Sequence, residues 1–225
     1  MVEVNDSNFL KKLFIDEAKP ALEWFDFRWA GVPEGYERLE YIENAAATYI
    51  DTEITCNSNI ELAIRVYVPV GKTSFYIFQS RESSSGDIHG IGGSSSDGDI
   101  QAYCTGSSID SSVVRMSEHT YDIRMSCKDG VLKLYVKDLD TGEESDTKGT
   151  YTRIADATTS LGIFGTNFNK LSSGHRVYFA SIIKDGERVA NYIPARKDGS
   201  VGLYDSVTSK FLKCETGSLI AGPAR

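Results

Sequence analysis

After residue 35 the chain consists of short runs of β-branched and aromatic residues, separated by turns rich in Gly, Ser, Asn and Asp. This spacing is typical of antiparallel sandwiches. Segments 120–126 and 132–136 alternate apolar and polar residues, as strands with one solvated face do. We therefore predict an all-β fold of antiparallel sheets. The predicted strands are 37–42, 49–51, 60–68, 74–80, 100–103, 112–116, 119–126, 131–138, 159–164, 177–184, 187–193 and 201–205.

Two Asp-Gly pairs mark tight turns between predicted strands. Asp129 and Gly130 precede segment 131–138, and Asp185 and Gly186 follow segment 177–184. Asp-Gly readily adopts the positive φ angles that a two-residue hairpin requires. Each pair therefore predicts a hairpin that joins neighbouring antiparallel strands.

The first part of the chain has a different pattern. Between residues 8 and 27, apolar residues recur at helical spacing, which predicts a short amphipathic helix. Asp6 or Ser7 can cap its first free amides, and Pro20 is expected to kink the helix or divide it in two. The residues that fall on one face are Leu10, Leu13, Phe14, Ala18, Leu22 and Phe25.

Both tryptophans and two phenylalanines lie within residues 22–29. Such a cluster either packs on its own domain or buries its rings against another subunit, and the sequence leaves both interpretations open. In the second case it anchors the chain to a larger assembly or a homo-oligomer. We assign residues 1–33 to this helical segment and its linker, and 34–225 to the sandwich. The anchor candidates are Leu13, Phe14, Trp24, Phe25, Phe27 and Trp29.

Composition and charge exclude several classes of function. The 225 residues include 40% hydrophobic and 25% charged residues, as in a folded soluble protein. A formal net charge of −8 repels a phosphate backbone, so we expect no nucleic acid as partner. No run approaches the roughly 20 consecutive apolar residues that cross a bilayer, so we expect no membrane span.

The four cysteines, Cys56, Cys104, Cys127 and Cys214, are far apart and form no C-x-x-C pair. They also lack the Cys and His spacing of a zinc site. We expect buried or half-buried free thiols. Their even number leaves a disulfide open without favouring one.

The two ends of the sandwich region carry motifs of a known family. Residues 39–43, Leu-Glu-Tyr-Ile-Glu, and the closing residues 191–196 and 202–205, Asn-Tyr-Ile-Pro-Ala-Arg and Gly-Leu-Tyr-Asp, resemble the concanavalin A-like, laminin-G-like domains of gut-bacterial and phage proteins. The resemblance covers residues 37–223. It implies a two-sheet jelly-roll sandwich in which the end motifs are core rather than site, including Tyr41, Tyr49, Tyr192 and Tyr204.

No catalytic constellation is evident. Some jelly rolls hydrolyse glycosides with two carboxylates on one strand face, but the E-x-D-x-x-E pattern is absent and Glu40 and Glu43 have the wrong spacing. His89, His119 and His175 stand in different segments without a metalloprotease motif. We expect no catalytic residue, and a glycoside hydrolase is the disfavoured alternative.

Two polar loops are candidate ligand sites, although the sequence favours solvated turns for each of them. Segment 82–99 is expected to be one long loop, rich in Gly and Ser. Short polar side chains on sandwich loops hydrogen-bond sugar hydroxyls, and Tyr76 or Tyr103 can stack on a ring. We expect no cofactor, because the Asp pair at 97 and 99 lacks the other calcium ligands. The ligand candidates are Asp87, Asp97, Asp99, Tyr103, Asn167, Phe168 and Asn169.

These observations favour a non-catalytic recognition or structural module that presents a lectin-like sandwich to a glycan or protein. The first residues lack the basic start and apolar run of a secretory signal. A protein made in the cytosol and used outside fits a bacteriophage virion component, such as a fibre, tail or capsid-decoration protein. Its partners would be other virion subunits, bound through the N-terminal segment, and a cell-surface glycan. The alternative is a secreted or surface glycan-binding protein of a gut bacterium.

Overall fold

A computed structural model describes residues 31–45, 48–70, 75–82, 88–93, 98–104, 107–114, 118–151, 157–166, 171, 173–214 and 216–225. In these ranges every regular element is a strand, and the strands form two antiparallel sheets. The predicted all-β sandwich is therefore confirmed. The predicted N-terminal helix lies outside the described residues. Within them, no helix has the length and apolarity needed to cross a bilayer.

The described strands are numbered β1 to β17 in chain order. The larger sheet contains β1 (Glu37–Arg38), β2 (Ile42–Asn44), β4 (Ile60–Tyr67), β9 (Thr120–Lys128), β10 (Val131–Asp138), β11 (Glu144–Thr150), β13 (Arg176–Lys184), β14 (Glu187–Lys197), β15 (Ser200–Asp205), β16 (Phe211–Leu212) and β17 (Leu219–Ala221). The smaller sheet contains β3 (Ile50–Thr55), β5 (Phe75–Arg81), β6 (Ile88–Gly93), β7 (Asp99–Cys104), β8 (Ser107–Val114) and β12 (Ser160–Ile163).

Strand order brings the start and the end of the sandwich together. The larger sheet has the order β11-β10-β9-β4-β13-β14-β15-β16, with β2 beside β13 and β17 beside β2. Glu40 N donates to Pro223 O at 2.8 Å, and Arg225 N donates to Arg38 O at 3.0 Å. The smaller sheet has the order β3-β12-β5-β6-β7-β8.

One apolar layer between the sheets forms the core. Alternate residues of each strand point into it, and burying each large aliphatic or aromatic side chain stabilises the fold by about 1.5 to 3 kcal/mol. The burial pattern of β7 shows this alternation, because residues 100, 102 and 104 are buried while residues 99, 101 and 103 are half-buried. Fully buried members from both sheets include Leu62, Ile64, Val66, Ile77, Phe78, Ile91, Ile100, Tyr121, Met125 and Leu134.

The two predicted hairpins are confirmed. Asp129 and Gly130 have φ angles of 53° and 76° and connect β9 to β10. Asp185 and Gly186 have φ angles of 54° and 83° and connect β13 to β14. Positive φ at both central residues matches the twist of the strands that they join.

The predicted long loop at 82–99 is wrong in its middle. Residues 88–93 form β6, and five of its six residues are buried. Three of its six residues are glycines, which are typical of loops, yet the segment pairs as a strand with both β5 and β7. The polar strand β11 also escaped prediction, because an edge strand with charged residues lacks an apolar pattern.

The expectation that four end-motif tyrosines are core holds for two of them. Tyr192 and Tyr204 are 1% and 7% exposed. Tyr41 and Tyr49 are half-buried instead. Tyr41 precedes the fully buried Ile42, so alternation places its ring on the other side of the chain. There the guanidinium of Arg176 lies 4.7 Å from the ring centroid.

The expectation of four free thiols is wrong for one pair. Cys104 and Cys127 form a disulfide, while Cys56 and Cys214 are free. Cys104 belongs to β7 of the smaller sheet and Cys127 to β9 of the larger one, and both are fully buried. The bond therefore links the two sheets covalently through the core.

A buried aspartate organises the turn between β10 and β11. Asp138 Oδ1 accepts hydrogen bonds from the amides of Asp140 and Thr141, and Oδ2 lies 2.6 Å from His119 Nδ1. Burial alone would raise the pKa of the Asp138 carboxyl. The hydrogen bonds from His119 and the turn amides outweigh burial and hold that pKa below its usual range. The carboxylate thus fastens the turn to the start of β9.

We expect the oxidised chain to expose two thiols when it is denatured without reductant, as counted by reaction with a disulfide reagent. In the native protein only Cys214 should react readily, because burial raises the pKa of the Cys56 thiol to about 12. Reduction should lower the free energy of unfolding by roughly 3 kcal/mol, because the closed loop no longer restricts the unfolded chain. Cys214→Ser is the control and should leave stability unchanged. Four reactive thiols without reductant would contradict the disulfide.

Asp138→Asn should lower the free energy of unfolding at pH 7 by about 2 kcal/mol, measured by urea denaturation. The lowered folded-state pKa means that the carboxylate stabilises the fold above about pH 4, the usual value of an unfolded Asp, and that this contribution is lost as the pH falls below it. The gap between wild type and variant should therefore close in acid. Exposed Glu143→Gln, in the same turn, is the matched control. A gap that stays constant down to pH 2 would refute the role of the charge.

Candidate functional site

The outward face of the smaller sheet carries a row of polar and glycine residues. Phe78, Ile91 and Ala102 are paired across β5, β6 and β7 and are buried in the core. Because side chains alternate, the adjacent row points away from the core. Across β3, β12, β5, β6, β7 and β8 this row reads Asp51, Gly162, Gln79, Gly90, Tyr103 and Ser108.

Both row neighbours of Gln79 must be glycine. At position 162 a Cβ atom would lie 2.0 Å from the Gly165 carbonyl oxygen, which passes directly over it. At position 90, where φ is +125°, a Cβ atom would lie 2.0 Å from the Phe78 carbonyl oxygen. Neither approach is sterically possible with a side chain. Backbone of the protein itself therefore fills the places on either side of Gln79 where side chains would otherwise stand.

Gln79 itself is fully buried. Within the described ranges, neither its carboxamide nitrogen nor its carboxamide oxygen has a hydrogen-bond partner. A buried donor or acceptor without a hydrogen-bond partner costs about 1 to 3 kcal/mol of stability for each group. The unpaired amide of Gln79 therefore lowers the stability of the folded chain when no ligand is bound.

A hydrogen-bonded chain orients the aromatic residue of the row. The Tyr103 hydroxyl donates to Gln101 Oε1, and Gln101 Nε2 donates to Asp110 Oδ1 at 2.5 Å. Gln101 and Asp110 are paired in the next row of the same face, beside Gly92. The ring of Tyr103 is therefore fixed by two further side chains rather than left to rotate.

The surroundings of Tyr103 favour its protonated hydroxyl. Burial, assisted by Tyr76 and Asp110 and opposed by Arg81, raises the pKa of Tyr103 to about 12. The hydroxyl consequently stays protonated at any physiological pH and acts as a hydrogen-bond donor or acceptor. It does not act as a base.

Two of the ligand candidates named from the sequence, Asp99 and Tyr103, lie on this face as half-buried residues of β7. The other candidates, Asp87, Asp97, Asn167, Phe168 and Asn169, lie outside the described residues, as do the anchor candidates Leu13, Phe14, Trp24, Phe25, Phe27 and Trp29.

Sequence reasoning missed Gln79, Gln101 and Asp110. Gln79 follows three apolar or aromatic residues in a predicted strand, and only the strand register shows that glycines flank it. The Gly90 and Gly92 spacing, at i and i+2, is the one local signal of a strand whose outward side lacks side chains.

A second cleft, of about 110 Å³, lies beside Tyr192 and Asp205. The carboxylate of Asp205 accepts the amides of Asn191 at 2.8 Å and Val207 at 3.0 Å, and the hydroxyl of Thr208 at 2.6 Å. Burial and the neighbouring Asp205 raise the pKa of Tyr192. Asp205 therefore holds its own turn, and Glu53, the other acid that lines the cleft, is paired with Lys210 at 2.5 Å.

One group of side chains has the composition of a metal site. Ligand atoms of His119, Asp138 and Asp140 lie within 4.8 Å of one another. However, Asp138 already accepts two turn amides, and Asp140 Oδ2 accepts the Thr120 amide at 2.6 Å. The close approach of these three side chains is therefore explained by the hydrogen bonds that hold the β10–β11 turn in place.

Comparison with known proteins places the fold but not the ligand. No protein-family model and no curated protein matches the chain. Among solved structures, a provisionally assigned carbohydrate-binding protein from Bacteroides ovatus ATCC 8483 has a TM-score of 0.58 at 9% identity, over 83% of this chain and 61% of that one. The chain thus spans less than two thirds of that protein.

Two further structures are more distant. Full-length tailspike protein 2 from Escherichia coli O157:H7 bacteriophage CAB120 has a TM-score of 0.45 at 14% identity, over 70% of this chain and 27% of that one. Scytalido-glutamic peptidase with a peptide-based transition state analog has a TM-score of 0.39 at 12% identity, over 84% of this chain and 100% of that one. The chain shares the two-sheet β-sandwich fold of the Bacteroides ovatus protein.

Proposed function

We propose that this chain is a non-catalytic recognition module that binds a glycan on the outward face of its smaller sheet. The observation that carries this proposal is the row in which Gln79 stands between two obligatory glycines and faces the fixed ring of Tyr103. Ligand sites combine an apolar or aromatic surface with a few placed polar groups. An amide and a tyrosine ring supply that combination for a sugar.

The carboxylates of this face support binding rather than hydrolysis. A glycosidase needs two carboxyl groups that face one scissile bond. Asp110 accepts the Gln101 amide, and Asp51 Oδ1 accepts the Glu53 amide at 2.8 Å. Asp110 and Asp51 are thus each engaged by a neutral donor of the protein itself. We infer that neither serves as a proton donor or nucleophile.

We further propose that the module works outside the cell, as part of a bacteriophage virion. The resemblance of residues 37–223 to laminin-G-like domains of phage proteins supports this placement. The Cys104–Cys127 bond supports use in an oxidising environment. A surface protein of a gut bacterium is the second candidate, because that setting is equally oxidising. The genes that neighbour its coding sequence distinguish the two.

Tyr103→Ala should weaken glycan binding at least tenfold, because it removes both the ring and the hydroxyl that engages Gln101. Tenfold corresponds to about 1.4 kcal/mol of binding free energy. The measurement is a glycan array that includes bacterial O-antigens and capsular polysaccharides, probed with the labelled full chain. Wild type should bind a subset of these glycans and release no reducing sugar from them.

The matched control is Tyr67→Ala on the outward face of the larger sheet, where the Tyr67 ring contacts Arg176. It should bind as wild type does. Equal losses in the two variants would show that Tyr103 acts only through stability. Absence of binding to every glycan by wild type would refute the module's proposed function.

The full chain should assemble, and a chain that begins at Glu34 should be a folded monomer, when both are measured by size-exclusion chromatography with light scattering. The reason is the aromatic cluster within residues 22–29, whose large rings are the side chains that stabilise subunit contacts most. Circular dichroism of the shorter chain is the control for folding. If both chains are monomers, the proposal that the N-terminal segment is an assembly anchor is wrong.

A further inference from the structure

The carboxamide of Gln79 is an unusual group to find in this position. It is fully buried, and within the described part of the chain neither its nitrogen nor its oxygen is hydrogen-bonded. A structural role would require partners, since buried polar groups are ordinarily satisfied. The unpaired donor and acceptor therefore point to a partner that is not part of the sandwich.

The space around this amide is defined by the strand register. Gly90 separates Gln79 from Tyr103, so the two side chains stand two strand spacings apart, roughly 10 Å. The adjacent outward position on β6 is Gly92, and it is paired with Gln101. No side chain at positions 90 and 92 of β6 therefore stands between the amide on one side and the oriented tyrosine on the other.

The segment beside the amide is strained. Phe164 has a φ angle of 67°, a left-handed conformation that a bulky residue rarely adopts, and it begins the turn whose Gly165 carbonyl lies over Gly162. Strain of this kind is stored at ligand-binding segments, where it favours a second arrangement. The backbone of residues 165 and 166 lies over Gly162, next to the fully buried Gln79, so a ligand reaches the amide only when this segment shifts.

The chemistry of the side chains around Gln79 selects a class of ligand. A carboxamide presents one donor and one acceptor side by side, which fits two adjacent hydroxyls, one that accepts from Nε2 and one that donates to Oε1. Three acids, Asp51, Asp99 and Asp110, lie on the same face, whose β5 contributes one cation, Arg81. The whole chain has a formal net charge of −8. This balance disfavours an anionic sugar.

We propose that Gln79 is the specificity-determining contact of the glycan site and binds a pair of adjacent hydroxyls on a neutral pyranose. This inference rests on the proposed glycan-binding function and adds the sugar class and the residue that reads it. The unpaired amide lowers the stability of the free chain, and the sugar supplies the missing partners. Uronic acids and other anionic sugars bind less well because of the surrounding carboxylates.

The test compares wild type with Gln79→Met, which is similar in length and lacks the amide. The full chain is titrated by saturation-transfer NMR with the methyl glycosides of glucose, galactose and mannose, their monodeoxy analogues, and methyl glucuronide. We expect at least one neutral glycoside to bind, a loss of tenfold or more in Gln79→Met, and a similar loss when either of two adjacent hydroxyls is removed. The glucuronide should bind more weakly than the neutral sugar.

Thermal unfolding provides the readout that a structural role would not give. Because Met removes an unpaired buried amide, Gln79→Met should raise Tm by about 2 °C or more while it loses the sugar. A variant that is less stable than wild type would show that Gln79 is a structural residue and would overturn the inference. Gln79→Leu, a second apolar substitution, checks that the direction does not depend on how Met packs.

The outcomes for the inference and for the function are distinct. If Gln79→Met binds the glycosides and the array glycans as wild type does, the amide is not the contact, although the module still binds glycans. If the glucuronide binds more tightly than the neutral sugars, the proposed sugar class is wrong. If wild type binds no glycoside and no array glycan, the glycan-binding function itself fails and the inference fails with it.

Discussion

Both sheets share a single apolar layer, and every other feature of the sandwich depends on that constraint. Because side chains alternate, each strand that places Phe78 or Ala102 in the layer must place Gln79 or Tyr103 outside it. A slip of one residue would exchange the two sets. The buried layer therefore sets the register of the strands, and the register determines which side chains lie next to one another on the outward face. The disulfide fixes the layer covalently at Cys104, next to Tyr103.

Several locally unfavourable features meet at the candidate site. Two glycines are forced by backbone contacts below 3 Å, a phenylalanine has positive φ, and a buried amide lacks partners. Each of these features costs stability, and natural sequences keep such features mainly where they serve function. At the Asp138 turn, in contrast, both carboxylate oxygens have hydrogen-bond partners.

Much of the framework could be predicted from alternation and turn chemistry. Segment 131–138 was predicted with the bounds that β10 has, and both Asp-Gly turns are hairpins. Prediction failed where composition conceals a strand, as in glycine-rich β6 and charged β11. It also failed for the Cys104–Cys127 pair, because the two residues meet across sheets and their spacing along the chain carries no sign of it. The candidate site could not be predicted for the same reason, because its row consists of residues from six strands that are far apart in the sequence.

The neighbouring ends of the sandwich have an architectural consequence. Arg38 and Arg225 are joined by a backbone hydrogen bond, so the path of the chain enters and leaves this unit at nearly the same point. A unit of this kind can be inserted into a surface loop of a host protein without separating the two sides of that loop. Both ends belong to the larger sheet, so flanking segments attached there would leave the outward face of the smaller sheet unchanged.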